Sequence, residues 1–388
     1  MKILLASDGY KYQTSGVANV VIALAEEYKL KGHDVRVLAM SNTRHSFKEG
    51  GDCFLGSLPA LVYPDIRFSY VLTNQILREL REWNPDIVHL HTEGSAARLA
   101  RYVAKANHPP IVMTAHTDYA QFAFGKHSDS RPVQKIAHVV GKIAYRDAKV
   151  VTAPSDKALS FHHLDAVKGR MVIIPNGIRL EQYQKQATPE ERTELYQTLG
   201  LKENGKTLVA VSRISKEKNL AEILSFFPDV LERVPGAQLL IVGEGPAREE
   251  LMKKTKEMGL TESVRFTGRI PPEEVYRYYN LGDVFVSAST FEVHSLTYLE
   301  AMARGLPLVC RDDPCLHGVL ENGDNGFAYQ TKEEYLDAVS SLLTDEDLRK
   351  RMGARALEKS AEFSVEKCAD RMLQLYQNLL DGKEFHSA

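Results

Sequence analysis

The chain has 388 residues, 44% of them hydrophobic and 26% charged, which excludes a disordered chain, a collagen-like repeat and a coiled coil. Its length is more than twice the ~150 residues of a typical domain, so two domains are expected. The formal charge of −2 is unevenly shared: residues 1–178 carry 22 Lys and Arg against 16 Asp and Glu, and the remainder carries 27 against 35.

Short apolar runs at 2–6, 34–39, 86–89, 111–115, 150–153 and 172–174 read as strands, with amphipathic helical stretches at 16–30, 95–106, 132–147 and 155–163 between them. Continuous apolar strands alternating with helices predict a parallel, doubly wound sheet. Residues 179–205 break the pattern. They are polar, contain the helix-start signal Thr188-Pro189-Glu190-Glu191, and read as a connector. A second series then follows, with strands at 207–211, 238–242, 264–267, 284–287, 308–310 and 327–329. Helices are expected at 220–234, 247–259, 272–281 and 297–304, and the end of the chain is helical through 365–380. The expected architecture is α/β: two Rossmann-like doubly wound domains, 1–178 and 206–364, facing a central cleft. A final helix within about 365–388 is expected to cross back to the first domain. Ligands in such sheets sit beyond the carboxyl ends of the strands.

A basic first part, which also holds ten of the 13 histidines, suits a phosphorylated substrate or an anionic lipid surface. Nucleic acid is not expected, because the excess is modest and no aromatic-interleaved basic motif occurs. No run of ~18 apolar residues could span a bilayer, and Met1 to Asp8 reads as a first strand rather than a signal peptide. Cys53, Cys310, Cys315 and Cys368 have neither metal-like nor paired spacing, so a reduced, cytoplasmic setting is expected.

The most informative segment runs from Ser287 to Ala303. A strand delivers Glu292, a helix begins near Ser295, Leu296 and Thr297, and Glu300 sits one turn inside it. A helix N-terminus offers free N–H groups and partial positive charge to a diphosphate. A carboxylate inside the helix can accept two ribose hydroxyls, and one before it can reach the far end of a sugar nucleotide. The same spacing also fits a capping pattern with solvated glutamates. Arg213 and Lys218 follow a strand end and precede a helix, so they are either a solvated basic face or two fixed cations for a leaving diphosphate. Gly16, between the first strand and first helix, either permits close backbone approach to the donor or makes a tight turn. His89, at a strand end, reads as a packed residue. Asp312-Asp313, beside Pro314, reads as a turn rather than a metal pair.

Taken together these segments resemble the retaining glycosyltransferases of the GT-B fold, family four. Glu292 and Glu300 match the family's two glutamates separated by seven residues. Val211-Ser212-Arg213-Ile214-Ser215-Lys216-Glu217-Lys218-Asn219-Leu220 is similar to the family's diphosphate loop, and Ile174-Pro175-Asn176-Gly177-Ile178 to its interdomain strand end. Val242-Gly243-Glu244-Gly245-Pro246 and Phe266-Thr267-Gly268-Arg269-Ile270 are similar to the strand ends that hold the nucleotide. The resemblance implies a nucleotide diphospho-sugar as co-substrate, such as UDP-glucose, with no metal and no cofactor. It implies catalytic roles for His116, Glu292, Arg213 and Lys218. Donor contacts are implied from Gly16, Gly243, Gly268, Arg269, Ile270, Ser295, Leu296, Thr297 and Glu300. His116, in Thr114-Ala115-His116-Thr117-Asp118-Tyr119, resembles the family's histidine that contacts the donor sugar. The family usually has glycine where this chain has Ser15 and Ser295.

The acceptor follows from weaker signals. Tyr63-Pro64-Asp65-Ile66-Arg67 and Arg311-Asp312-Asp313-Pro314 are similar to bacterial diacylglycerol glucosyltransferases, which implies a hydroxyl of a membrane lipid, with Tyr119 near it. In the helix expected at 132–147, Val133, Ile136, Val140 and Ile143 share one face, with Lys135, His138, Lys142 and Arg146 elsewhere. That pattern fits either a peripheral contact with an anionic membrane or a sheet-covering helix with solvated charges. Residues 54–62 are either an apolar acceptor groove or a loop packed on the core. A soluble or polysaccharide acceptor, and a nucleotide-sugar 2-epimerase of the same fold, are the competing readings.

Overall fold

The computed structural model describes residues 1–12, 15–59, 67–118 and 131–383, and it divides into two compact units. One is Met1–Ile178 with Val365–Ala388, and the other is Arg179–Ser364.

The first unit is built on β1 (Lys2–Ser7), β2 (Asp34–Met40), β3 (Phe47–Glu49), β4 (Asp52–Leu55), β7 (Ile87–Leu90), β8 (Ile111–Thr114), β9 (Val150–Ala153) and β10 (Met171–Ile173), with β5 (Leu58–Pro59) and β6 (Arg67–Phe68) as a separate short pair. The eight-stranded sheet has the order β10-β9-β8-β7-β1-β2-β4-β3, parallel except where β3 pairs antiparallel with β4 at the edge. Its helices are α1 (Gly16–Leu30), α2 (Gln75–Trp83), α3 (Ser95–Ala104) and α4 (Arg131–Ala144). Ile3, Leu4, Leu5 and Ala6 of β1 are all fully buried, as a strand covered on both faces requires.

One local expectation differs from the structure. The stretch read as one helix at 155–163 is a pair of 3-10 segments, Asp156–Ser160 and His162–Arg170. Phe161 between them is extended, with ψ 119°, and buries its ring against His163 at 5.6 Å, so burial of one aromatic interrupts the helix. Phe54 and Leu55 are fully buried core residues, and Phe54 stacks on Phe47 at 4.8 Å. For these described residues that agrees with the reading of a segment packed on the core; residues 60–62 lie outside the described residues.

The second unit has six parallel strands: β11 (Lys206–Val211), β12 (Ala237–Val242), β13 (Val264–Phe266), β14 (Val284–Ser287), β15 (Leu308–Arg311) and β16 (Gly326–Tyr329). Their order, β13-β12-β11-β14-β15-β16, is that of a Rossmann sheet, with the strand order reversing between β11 and β14. The helices are α5 (Leu180–Gln184), α6 (Pro189–Leu199), α7 (Leu220–Arg233), α8 (Arg248–Glu257), α9 (Val275–Tyr279), α10 (Leu296–Ala303), α11 (Lys332–Thr344) and α12 (Glu346–Ser360). Thr188 and Glu191 form a reciprocal capping box that starts α6, as the Thr-Pro-Glu-Glu signal predicts. Residues 179–205 are folded into this unit rather than strung outside it. Asn280 accepts from the Ala187 N–H at 3.2 Å and donates to the Lys185 carbonyl at 3.1 Å, while Arg265 donates to the Leu199 and Gly200 carbonyls.

The last helix, α13 (Val365–Leu380), belongs to the first unit. Its Tyr376 hydroxyl lies 3.2 Å from the Tyr28 hydroxyl of α1 and 2.5 Å from His89 Nδ1 of β7, and Asp370 pairs with Lys31 at 2.8 Å. The helix is thereby tied into the core of the N-terminal sheet by polar as well as apolar contacts.

Candidate active site

In the second unit the loops that leave β11 and β14 meet where the strand order reverses. The β11 loop carries Arg213 and Lys218, and Asn219 in the left-handed region (φ 51°) then turns the chain into α7. The β14 loop carries Glu292. Lys218 Nζ donates to Glu292 Oε1 at 2.6 Å, and both side chains are largely shielded from solvent. With Ser212, Ser289 and Thr297 they line a small recess at the sheet's carboxyl edge. Arg213 is exposed on the same loop. Tertiary folding therefore brings two of the expected catalytic groups, 74 positions apart, into direct contact.

The helix after Glu292 starts with its first N–H groups open. Ser295 is the extended N-cap residue of α10, yet its side chain makes no capping bond and lies 3.1 Å from Thr297 Oγ1 instead. The N–H groups of Leu296 and Thr297 have no acceptor among the described residues. Such a terminus carries partial positive charge. Beside it, His294 is buried with its ring 5.7 Å from Phe363, and burial pushes its pKa down to about 4, so it is neutral at pH 7.

Glu300 lies one turn inside α10 and is only 7% exposed. Tyr183 donates to Oε1 at 2.9 Å and Tyr279 to Oε2 at 2.8 Å, and the two rings pack edge to face at 6.0 Å. Burial raises the carboxyl above its ordinary range, and the two phenol donors pull it back. Each oxygen keeps a lone pair for a further donor. Neither tyrosine carries a sequence signal: Tyr183 lies in the stretch read as a connector and Tyr279 on the short α9.

Glycines lock the β11 loop to its neighbours. Gly243 has φ 138°, and a Cβ there would overlap the Ser212 carbonyl, while one at Gly245 would overlap that of Ile214. The close approach permits the Ser212 N–H to bond the Val242 carbonyl (3.1 Å) and the Ile214 N–H to bond that of Glu244 (2.9 Å). Gly243 also bridges Gly268, which has φ 75°. The structure thus assigns these glycines a holding role on the Arg213 loop. Arg269, next in the chain, is exposed, and Ile270 is half-buried. Asp313 accepts from the Cys315 N–H at 2.9 Å and starts a 3-10 turn, in line with the turn reading.

In the first unit the sheet reverses between β1 and β7. Asp8, after β1, accepts from the Ala96 N–H at 2.8 Å, and so occupies the N-terminus of α3. Ser15 caps α1 by accepting from the Ala18 N–H at 3.1 Å, a positive use for the residue that replaces the family's glycine. Gly16 has open space around a built Cβ, so none of the described residues demands a glycine there. Three histidines pack in a row across the ends of β7 and β8. His89 is fully buried, bonded to Tyr376 and, at 2.6 Å, to Thr114 Oγ1, which continues to Thr152 at 2.6 Å. His91 packs on His89 with ring centroids 4.0 Å apart, and its Nδ1 lies 3.1 Å from Nε2 of the half-buried His116. Burial depresses all three, His89 to about 3 and His116 to about 4, so each is neutral at pH 7.

Of the two readings of helix α4, the structure departs from the sheet-covering one, because the aliphatic face is turned away from the unit. Ala137 and Gly141 face the unit, and Gly141 touches the backbone of His163 so closely that no Cβ would fit. Ile136, Val139, Val140 and Ile143 point outward, each more than half exposed, alongside exposed Lys135, Lys142 and Arg146. The small residues pack inward because only they allow the helix to approach the chain at His163. Phe68, Tyr70 and Leu72 form a second exposed apolar group, unanticipated because single apolar residues in a loop carry no periodic signal. Tyr119 and residues 60–66 lie outside the described residues. Among the described residues no helix is long and apolar enough to cross a membrane.

Comparison with known proteins agrees with this architecture. Residues 191–359 match the family described as Glycosyl transferases group 1, and residues 14–182 match Glycosyltransferase Family 4. An alpha-monoglucosyldiacylglycerol synthase of Streptococcus pneumoniae is 30% identical, over 99% of this chain and 87% of its own. Another of the same name from Acholeplasma laidlawii is 29% identical over 98% of both. Among solved structures, Anabaena HepE in complex with UDP-glucose superposes with a TM-score of 0.75 at 19% identity, covering 97% of this chain and 100% of its own. With its two Rossmann-like units, its glutamate pair and these relatives, the chain belongs to the GT-B glycosyltransferases of family four.

Proposed function

We propose that this glycosyltransferase moves a glucosyl group from UDP-glucose to the hydroxyl of a diacylglycerol-type membrane lipid, with retention of anomeric configuration. The observation that carries the donor half is the Lys218–Glu292 contact at the strand-order reversal, beside the open N-terminus of α10 and with Glu300 one turn within. Glu300 would take the ribose hydroxyls on the lone pairs its tyrosines leave. Arg213, Lys218 and the N–H groups of Leu296 and Thr297 would hold the diphosphate. Lys218 has three N–H donors, so its bond to Glu292 leaves two for phosphate oxygens. Glu292 Oε2 would orient a sugar hydroxyl.

The chemistry follows from those placements. The bond between the sugar's C1 and the diphosphate oxygen breaks with oxocarbenium character. Cations and N–H groups fixed in advance stabilise the leaving diphosphate as its charge develops, which lowers the barrier without a bound metal. The acceptor oxygen bonds to C1 on the face the diphosphate leaves, and its proton passes to a diphosphate oxygen. The first unit is read as the acceptor half, with His116 contacting the sugar. Support for a glucosyl donor and a lipid acceptor comes from the names of the synthases at 29–30% identity. The outward apolar stripe of α4 with its flanking cations supports a peripheral seat on an anionic, cytoplasmic membrane face.

The test is a matrix of sugar nucleotides against diacylglycerol in anionic vesicles and against soluble acceptors, read by mass, with the anomer assigned by NMR. An α-glucosyl lipid formed from UDP-glucose is the expected product. Transfer only to a soluble acceptor, or conversion of the sugar nucleotide without acceptor, would overturn the lipid reading.

A further inference from the structure

We infer that His91 is a positioning residue that sets the tautomer of His116, so that His116 meets its substrate as a hydrogen-bond donor through Nδ1–H and not as a base at that nitrogen. The inference rests on the proposed role of His116 at the sugar, and it comes from proton bookkeeping in a buried pair. His91 Nδ1 and His116 Nε2 are 3.1 Å apart, so one proton lies between them. His91 is 2% exposed, and its other nitrogen, Nε2, is buried with no hydrogen-bond partner.

A neutral imidazole carries one N–H, which leaves two arrangements. If His116 donated from Nε2, the single proton of His91 would sit on its Nε2, as a buried N–H with nothing to accept it. Orphaned buried donors are rare and costly, whereas an unfilled lone pair is tolerated more readily. If His91 donates from Nδ1, its Nε2 presents only that lone pair, and the one available hydrogen bond is made. His116 then accepts at Nε2 and must carry its own proton on Nδ1. That atom makes no hydrogen bond among the described residues, and the side chain is only half-buried, so the Nδ1–H is available to an incoming hydroxyl. The His89 ring, packed on His91 with centroids 4.0 Å apart and itself held by Tyr376 and Thr114, fixes the position of His91 and hence the direction of its bond. Free neutral histidine prefers the Nε2–H form, so the pair imposes the less common tautomer.

The experiment uses the full chain labelled with 15N at histidine, with imidazole nitrogen shifts recorded at pH 7 and His116 assigned by its absence in His116→Asn. His116 is expected to read as Nδ1–H in the wild type and in His91→Asn, whose amide N–H can replace the Nδ1–H donor. In His91→Leu it should revert toward Nε2–H. Turnover of His91→Leu should fall about tenfold, the scale of one lost hydrogen bond, with donor KM nearly unchanged, and His91→Asn should recover most of it. An Nε2–H form of His116 in the wild type overturns the inference outright, and that measurement needs no variant of His91 to fold. Loss in His91→Asn equal to that in His91→Leu also overturns it. Unimpaired turnover of His116→Ala would instead sink the catalytic reading of His116 while leaving the tautomer measurement to stand.

Discussion

Glu300 and Arg213, both proposed to hold the donor, are placed by different physics. Glu300 is buried and clamped by two tyrosine hydroxyls, whereas Arg213 stands exposed on a loop held by glycine contacts. Glu300→Ala and Arg213→Ala should each weaken donor use, with a cost of about 2–4 kcal/mol of transition-state stabilisation for the lost charged contact. Steady-state kinetics with varied donor checks this, and unchanged kcat/KM in either variant would refute the assignment. Tyr279→Phe removes one of the two phenol donors that orient Glu300 and favour its charged form. Its donor KM should rise several-fold, on the scale of about 1 kcal/mol, while turnover at saturation stays close to wild type. His116→Ala should show the reverse split, losing turnover far more than affinity for the nucleoside diphosphate. Calorimetric titration of that diphosphate separates the two cases, because His116 and Glu300 belong to different folding units.

At the scale of elements, α4 shows how packing can turn a familiar pattern outward. An amphipathic helix normally buries its aliphatic stripe, but here Ala137 and Gly141 make the inward contact and four aliphatic side chains face out. Each Lys or Arg near an anionic surface contributes about 1 kcal/mol, fading beyond a Debye length of roughly 8–10 Å. Neutralising Lys135, Lys142 and Arg146 together should therefore weaken binding to anionic vesicles at low salt and leave donor hydrolysis intact. Vesicle sedimentation across a salt series measures it, and equal partition of the wild type onto neutral and anionic vesicles would remove the membrane role. Gly141→Leu tests the packing itself. It should lower the unfolding midpoint, because the added side chain collides with the His163 backbone and must push the helix away.

Across the whole molecule, several histidines are folded as neutral groups. His89 is held to about 3, His116 and His294 to about 4, and His91 well below its ordinary value, in every case chiefly by burial. In the unfolded chain each takes up a proton near pH 6.5. The stability they contribute is therefore present above that pH and is lost as pH falls from about 6.5 toward 4. Linkage puts the loss at about 1–2 kcal/mol per histidine by pH 5. Urea midpoints at pH 7 and pH 5 check this, and equal midpoints would contradict neutral burial of the group.

Sequence by itself determined most of the parallel strands and many of the helices between them, because fully buried parallel strands must be continuous apolar runs. Thus 150–153 and 284–287 coincide with β9 and β14, and 16–30 with α1. It also determined the family, through Glu292, Glu300 and the Arg213–Lys218 loop, since a helix terminus and its flanking carboxylates are local in the chain. Only tertiary structure decided what those groups touch. Lys218 meets Glu292 because β11 and β14 are neighbours where the strand order reverses, and Tyr183 reaches Glu300 across 117 positions. His91 faces His116 because β7 and β8 are paired, and Tyr376 reaches His89 across 287 positions because α13 packs on the first sheet. Periodicity records whether a side chain is buried, not which distant side chain shares its pocket. That second choice belongs to the strand order and to the steric fit of small residues such as Gly141 and Gly243.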